Sequence, residues 1–158
     1  SFPTRRSSDL KKYPEKKAVF EKNTVAYLEK LTALDKEYQA AFAGAKNRTF
    51  VTQHAAFGYL AKQYGLTQEP IAGISPDQEP SPSRLAELKK YIKTNNVSVI
   101  YFEASASTKV AKTLADETGV ELAVLNPLES LTQKEQEAGE NYVSVMKENL
   151  AALQKSIH

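Results

Sequence analysis

Between Tyr13 and about Ala45 the apolar side chains fall at three- and four-residue steps: Val19, Phe20, Leu28, Leu31, Leu34, Tyr38 and Phe42. The positions between them are rich in Lys, Glu and Ala, all strong helix formers, so the spacing predicts one long amphipathic helix over 13–45. Pro14 suits its first turn and Gly44 its end. Thirty residues of helix run about 45 Å at 1.5 Å per residue. That is more than one small lobe needs, and a helix of that length is expected to bridge two bodies.

Beyond it the pattern changes. Short apolar runs, TFVTQ, IAGI, VSVIYFE and VELAVLN, alternate with helical stretches, AAFGYLAKQYG, SPSRLAELKKYIKTNN and STKVAKTLADETG, and a final long helix is predicted from about Gln133 to Ser156. This alternation predicts an α/β fold with a four-stranded parallel sheet and flanking helices, the strands near 50–53, 71–74, 97–102 and 121–125. The runs Phe50–Thr52, Val97–Phe102 and Leu122–Leu125 are nearly continuous hydrophobics, as strands covered on both faces should be. Ser81 or Ser83 is expected to cap the second helix of this region and Gly119 to end the third, while the three prolines of ISPDQEPSPS mark a loop.

In open parallel sheets ligands gather outside the carboxyl ends of the strands. Those ends are Gln53-His54, Gly73 to Pro76, Glu103-Ala104-Ser105 and Asn126 to Ser130. An imidazole and two carboxylates, His54, Glu103 and Glu129, are therefore expected on one rim, a donor set suited to a metal ion or to acid–base work. Each also has a plainer role open to it. His54 could cap or pack, Glu129 could favour a helix start as a first-turn acid, and Glu103 could simply be solvated. The other histidine, His158, ends the sequence, and Asp77 and Glu79 sit in the proline-rich loop with no role assigned.

Composition narrows the chemistry. The 158 residues, 41% hydrophobic and 25% charged, suffice for one ordinary core. The net charge is +2, and the 21 basic residues are interleaved with 19 acidic ones, which gives nucleic-acid binding little electrostatic support. The absence of cysteine excludes disulfides, thiolate metal sites and a cysteine nucleophile. No phosphate loop, no dinucleotide-binding glycine pattern and no serine nucleophile elbow occurs, and no apolar run reaches membrane-spanning length. The opening SFPTRRSSDL reads like the translation of a sequencing-adapter oligonucleotide. Residues 1–10 are therefore expected to be non-native, disordered or poorly packed, and the natural protein to be longer.

From about residue 11 onward, the strings KYPEKKAVFEKN, FVTQHAAFGYLAKQYGL, SPDQEPSPSRLAELKKYIK, YFEASASTKVAKTLADETGV and LNPLESLT resemble the C-terminal lobe of the zinc and manganese binding proteins of ABC importers. The resemblance implies two small α/β lobes joined by one rigid helix, with metal held in the cleft between them. On that basis 11–45 is the interlobe helix and 46–158 the metal-binding lobe. The resemblance also implies that the histidine of TQHAAF, His54, and the carboxylate of the NPLE turn, Glu129, are metal ligands, with Glu103 as the runner-up or an outer-sphere residue. The missing N-terminal lobe would supply the remaining ligands. It further implies a non-enzymatic receptor, extracytoplasmic as a surface lipoprotein or periplasmic protein, delivering Zn2+ to an ABC importer permease. Manganese-binding relatives carry a carboxylate where His54 stands, so histidine favours zinc over Mn2+. Two other classes stand beside this reading: a flavodoxin-like enzyme domain using the same rim for a phosphorylated ligand, and a surface adhesin. The lack of a glycine-rich loop counts against the first.

Overall fold

The computed structural model describes residues 5–75, 78–104 and 107–158. Residues 1–4, together with Pro76, Asp77 and Ser105 of the predicted loops, lie outside the described residues. The chain divides into two compact units, Ser1–Glu37 and Tyr38–His158.

The first unit is helical. Helix α1 spans Arg5–Lys12, so part of the segment 1–10 is helical; the sequence from Arg5 to Lys12 contains neither Gly nor Pro to break it. A single 3-10 turn, Pro14–Lys16, then leads into α2, Lys17–Phe42. The predicted continuous helix from Tyr13 is thus interrupted at its start, because Pro14 fixes the first turn without an N–H to donate. Val19, Val25, Tyr27 and Leu28 of α2 stand exposed. Among the described residues no helix is long and apolar enough to cross a membrane.

The second unit contains the sheet. Its strands are β1 (Thr49–Thr52), β2 (Thr67–Pro70), β3 (Val99–Phe102) and β4 (Glu121–Val124), all paired in parallel in the order β2-β1-β3-β4. The crossover helices are α3 (Gly58–Tyr64), α4 (Pro82–Thr94) and α5 (Lys109–Thr118). Alternate strand residues serve opposite faces. Val51 and Ile100 pack with Leu88, Ile92, Leu114 and Ala115 of α4 and α5. Phe50 lies edge-on to Tyr101 and Phe57, and the Tyr101 hydroxyl donates to the Ala152 carbonyl of α7 (Tyr142–Leu153) at 2.8 Å. Helices thus cover both faces, which is why β1 and β3 read as unbroken apolar runs.

The second strand is Thr67–Pro70, four positions before the predicted 71–74. As the outer strand it has one neighbour and half-exposed side chains, so it carries no apolar signature. The apolar Ile71 and Ala72 instead prolong the pairing, donating to the Thr52 and Gln53 carbonyls at 2.8 and 2.9 Å. Thr67 N–H and Ile71 N–H both point to β1, so alternation turns the nitrogen of Pro70 outward, where its missing hydrogen costs no ladder bond. The predicted helix 133–156 is also two helices, α6 (Gln133–Glu137) and α7. Gly139 takes a left-handed φ of 77° and Asn141 caps α7 by accepting from Val143 and Ser144 N–H, which stops one helix and starts the next. Ser81 caps α4 and Gly119 ends α5, as expected.

Two phenols are sealed in this core. Burial pushes the Tyr101 hydroxyl up to about 12, with the Ser156 hydrogen bond opposing and the charge of Glu121 adding, and burial raises Tyr38 further still. Unfolded tyrosine ionises near pH 10, about two units lower. Below that pH both states are protonated and stability is unaffected. Above it the unfolded state loses protons that the folded state retains, so stability falls as pH rises. The thermal midpoint should be flat to about pH 9.5 and drop progressively beyond it; a midpoint unchanged to strongly alkaline pH would mean that the phenols are not sealed.

Candidate functional site

The chain enters the sheet at β1, crosses to β2 on one side, then returns past β1 to β3 on the other. The carboxyl ends of β1 and β3 therefore flank the point where successive crossovers diverge, the place where open parallel sheets leave a crevice. His54 follows β1 and Glu103 follows β3. Glu129 comes from the turn after β4.

The three residues meet. His54 is buried at 2% exposure, its Nδ1 is 3.8 Å from Glu103 Oε2, and its Nε2 is 3.8 Å from Glu129 Oε1. The two carboxylates thus address opposite nitrogens of one ring. They differ in setting, with the Glu103 side chain 12% exposed and that of Glu129 64% exposed. His54 Nε2 is buried and has no hydrogen-bond partner among the described residues. A buried polar atom without a partner costs free energy, so a ligand bound at this nitrogen would be stabilising.

The separation on the Nε2 side has a chemical reading. At 3.8 Å the two atoms are too far apart for a hydrogen bond. Zinc bonds of roughly 2.0–2.2 Å to nitrogen and oxygen set tetrahedral donors about 3.4 Å apart, a few tenths of an ångström closer. Glu103 faces the other ring nitrogen. Its Oε2 lies on the Nδ1 side of the ring, also 3.8 Å away and so beyond hydrogen-bond reach. No three His, Asp or Glu side chains among the described residues close around one point, so what the described residues of this chain bring together is an imidazole and a carboxylate.

The support for His54 is carried by main chain and amides. Its carbonyl accepts from Thr52 Oγ1 at 2.8 Å, Gln68 Nε2 at 2.9 Å and Ala56 N–H at 3.0 Å. Gln68, on β2, also donates to Thr52 Oγ1 at 2.7 Å and accepts from Phe57 N–H at 3.2 Å, clamping the 52–57 turn at three points. Gln53 links the ends of β1 and β3: its Oε1 accepts from Glu103 N–H at 3.3 Å and its Nε2 donates to the Ser107 carbonyl at 2.8 Å. Glu129 follows Asn126-Pro127-Leu128, where Asn126 Oδ1 accepts from Leu128 N–H at 2.8 Å and Asn126 Nδ2 donates to Glu135 at 3.0 Å. Glu135 caps α6 with Thr132, and bonds from the Thr132 hydroxyl and main chain hold its carboxyl below the usual range.

Sequence reasoning brought His54, Glu103 and Glu129 to this rim but missed Gln68, whose bonds clamp the His54 turn.

The family of zinc-uptake complex component A, periplasmic (ZnuA), matches residues 7–156. The chain is 58% identical over 144 residues to the zinc-binding lipoprotein AdcA of Streptococcus pneumoniae, covering 91% of this chain and 29% of that protein. It is 54% identical over 148 residues to the high-affinity zinc uptake system protein ZnuA of Bacillus subtilis, covering 94% of this chain and 46% of that one. Among solved structures, the Zn(II)-bound ZnuA-like domain of S. pneumoniae AdcA superposes with a TM-score of 0.81 at 56% identity, over 96% of this chain and 57% of that one. The chain therefore spans less than half the length of these two curated relatives.

Proposed function

Because the chain belongs to the ZnuA family of periplasmic zinc-uptake components, we propose that it is the C-terminal lobe of a solute-binding protein that captures zinc outside the cytoplasm and hands it to an ABC importer permease. The observation that carries this reading is the buried, unpartnered Nε2 of His54 facing the Glu129 carboxylate across 3.8 Å. His54 and Glu129 are the proposed ligands. Glu103, facing the Nδ1 side, is the runner-up ligand or an outer-sphere residue. Residues 11–45, whose main helix is α2, form the interlobe segment and 46–158 the metal-binding lobe. Further ligands come from a lobe that this chain does not contain, for which the exposed Val19, Val25, Tyr27 and Leu28 of α2 supply apolar surface.

Nothing in this role requires bond making. An imidazole and carboxylates in a closed site hold zinc without a position left for a reacting water. Histidine at 54 suits zinc better than manganese, which prefers harder oxygen donors.

Titration calorimetry of the chain with zinc should show one weak site, because two protein donors leave the rest of the sphere to water. Glu129→Ala should weaken it about tenfold, and ATP titrated in place of zinc should give no binding heat. Absence of any zinc binding, or nucleotide binding at the same rim, would sink the proposal.

A further inference from the structure

We infer that Asn149 is a positioning residue for Glu129: from the interior of α7 it fixes the turn that carries this carboxylate, an inference that rests on the zinc-binding reading above. Asn149 is 3% exposed and lies among Val145, Leu150 and Leu153 of the same helix, all buried and apolar. Asparagine is a mediocre helix former, and burying its amide is costly unless both ends are bonded. Here both ends reach one residue. Oδ1 accepts from Asn126 N–H at 2.9 Å and Nδ2 donates to the Asn126 carbonyl at 2.7 Å. One side-chain amide thus takes both main-chain groups of a residue just past β4, at the outer edge of the sheet, as a neighbouring strand would.

The path from there to Glu129 is short. Asn126 Oδ1 accepts from Leu128 N–H at 2.8 Å, closing an Asx turn. Leu128 has a φ of 60°, a left-handed conformation that a bulky side chain rarely adopts and that persists only where its surroundings determine it. Asn149 supplies that determination by anchoring Asn126. Glu129 itself, with its side chain 64% exposed, is held by its backbone more than by packing. Releasing the anchor lets the turn relax, and the carboxylate loses its fixed distance from His54 Nε2.

A residue that merely satisfied the end of β4 would affect stability alone. The test is zinc titration calorimetry on the whole chain, comparing the parent, Asn149→Ala, Glu129→Ala and the double variant. Asn149→Ala should weaken zinc binding by up to about tenfold, the lower end of what loss of an outer-sphere partner costs. It should add nothing once Glu129 is already alanine, the non-additivity expected of two residues acting through one group. Leu153→Ala, a core change that also lowers thermal stability, should retain the parental zinc affinity. If Asn149→Ala does not fold, Asn149→Leu takes its place, since it removes both bonds to Asn126 while keeping side-chain bulk in the core of α7; the same non-additivity is expected. Unchanged affinity, an equal loss in both backgrounds, or an equal loss in Leu153→Ala would each overturn the inference. A parent chain that binds no zinc would overturn the zinc reading and this inference together. Zinc binding abolished by His54→Ala but intact in Asn149→Ala would remove only the inference.

Discussion

His54→Ala should remove measurable zinc binding while leaving the fold in place. The imidazole is the one buried donor of the proposed pair, and its Nε2 has no hydrogen bond among the described residues to lose. Alanine therefore deletes the ligand without orphaning a partner at that atom. The turn is held by the carbonyl of residue 54, which accepts from Thr52, Gln68 and Ala56, and alanine keeps that carbonyl. The stability loss should stay within about 1–2 kcal/mol, the ordinary range for a single substitution. The loss of affinity should exceed the roughly hundredfold that outer-sphere changes reach at most. Calorimetry and circular dichroism on the same samples separate the two quantities. An unchanged isotherm in a folded His54→Ala chain would show that the metal binds elsewhere, and the α/β fold would stand untouched.

Phe50→Ala should be the most damaging single truncation for stability. Phe50 is fully buried in β1 and meets Phe57 and Tyr101 edge-on at centroid distances of 6.5 and 6.4 Å. Removing a ring in that setting costs about 3–5 kcal/mol, the transfer term plus the cavity left behind. For a chain of this size the thermal midpoint should fall by about 10 °C or more. Because Phe50 stands on the strand that leads into His54, zinc affinity should also suffer once the chain begins to open. A loss below about 1 kcal/mol in urea unfolding would mean that the site collapses around the cavity far better than its close packing allows.

What could be read from the sequence followed from local pattern. β1 and β3 were legible because strands covered by helices on both faces become continuous apolar runs; β4, an outer strand with Glu121 and Val124 exposed, was legible only because its sequence Leu122–Leu125 is apolar, and the caps at Ser81 and Gly119 because their chemistry is local. β2 was displaced because an outer strand of sequence TQEP has no reason to be apolar, while the neighbouring Ile71 and Ala72 are buried without being counted as strand. The break between α6 and α7 was written in Gly139 and Asn141, but the helical periodicity on either side outweighed them. His54, Glu103 and Glu129 could be grouped from the rule that ligands gather at strand ends. That the two carboxylates address opposite nitrogens of the ring could not, because it depends on side-chain orientation. Gln68 and Asn149 were invisible for a related reason: their hydrogen bonds join segments 14 and 23 residues apart in sequence, and such partners leave no local period.

The outward-facing nitrogen of Pro70 also bears on solubility. The outer strands of an open sheet present unpaired main-chain groups that can template another chain. At β2 the proline withholds a hydrogen-bond donor on the free side, and Glu69 is engaged by Arg84. At β4, on the opposite edge, Glu121 pairs with Lys155 at 2.5 Å. An incoming strand would meet a gap in the ladder on one side and charge pairs to displace on both, which disfavours edge-to-edge pairing.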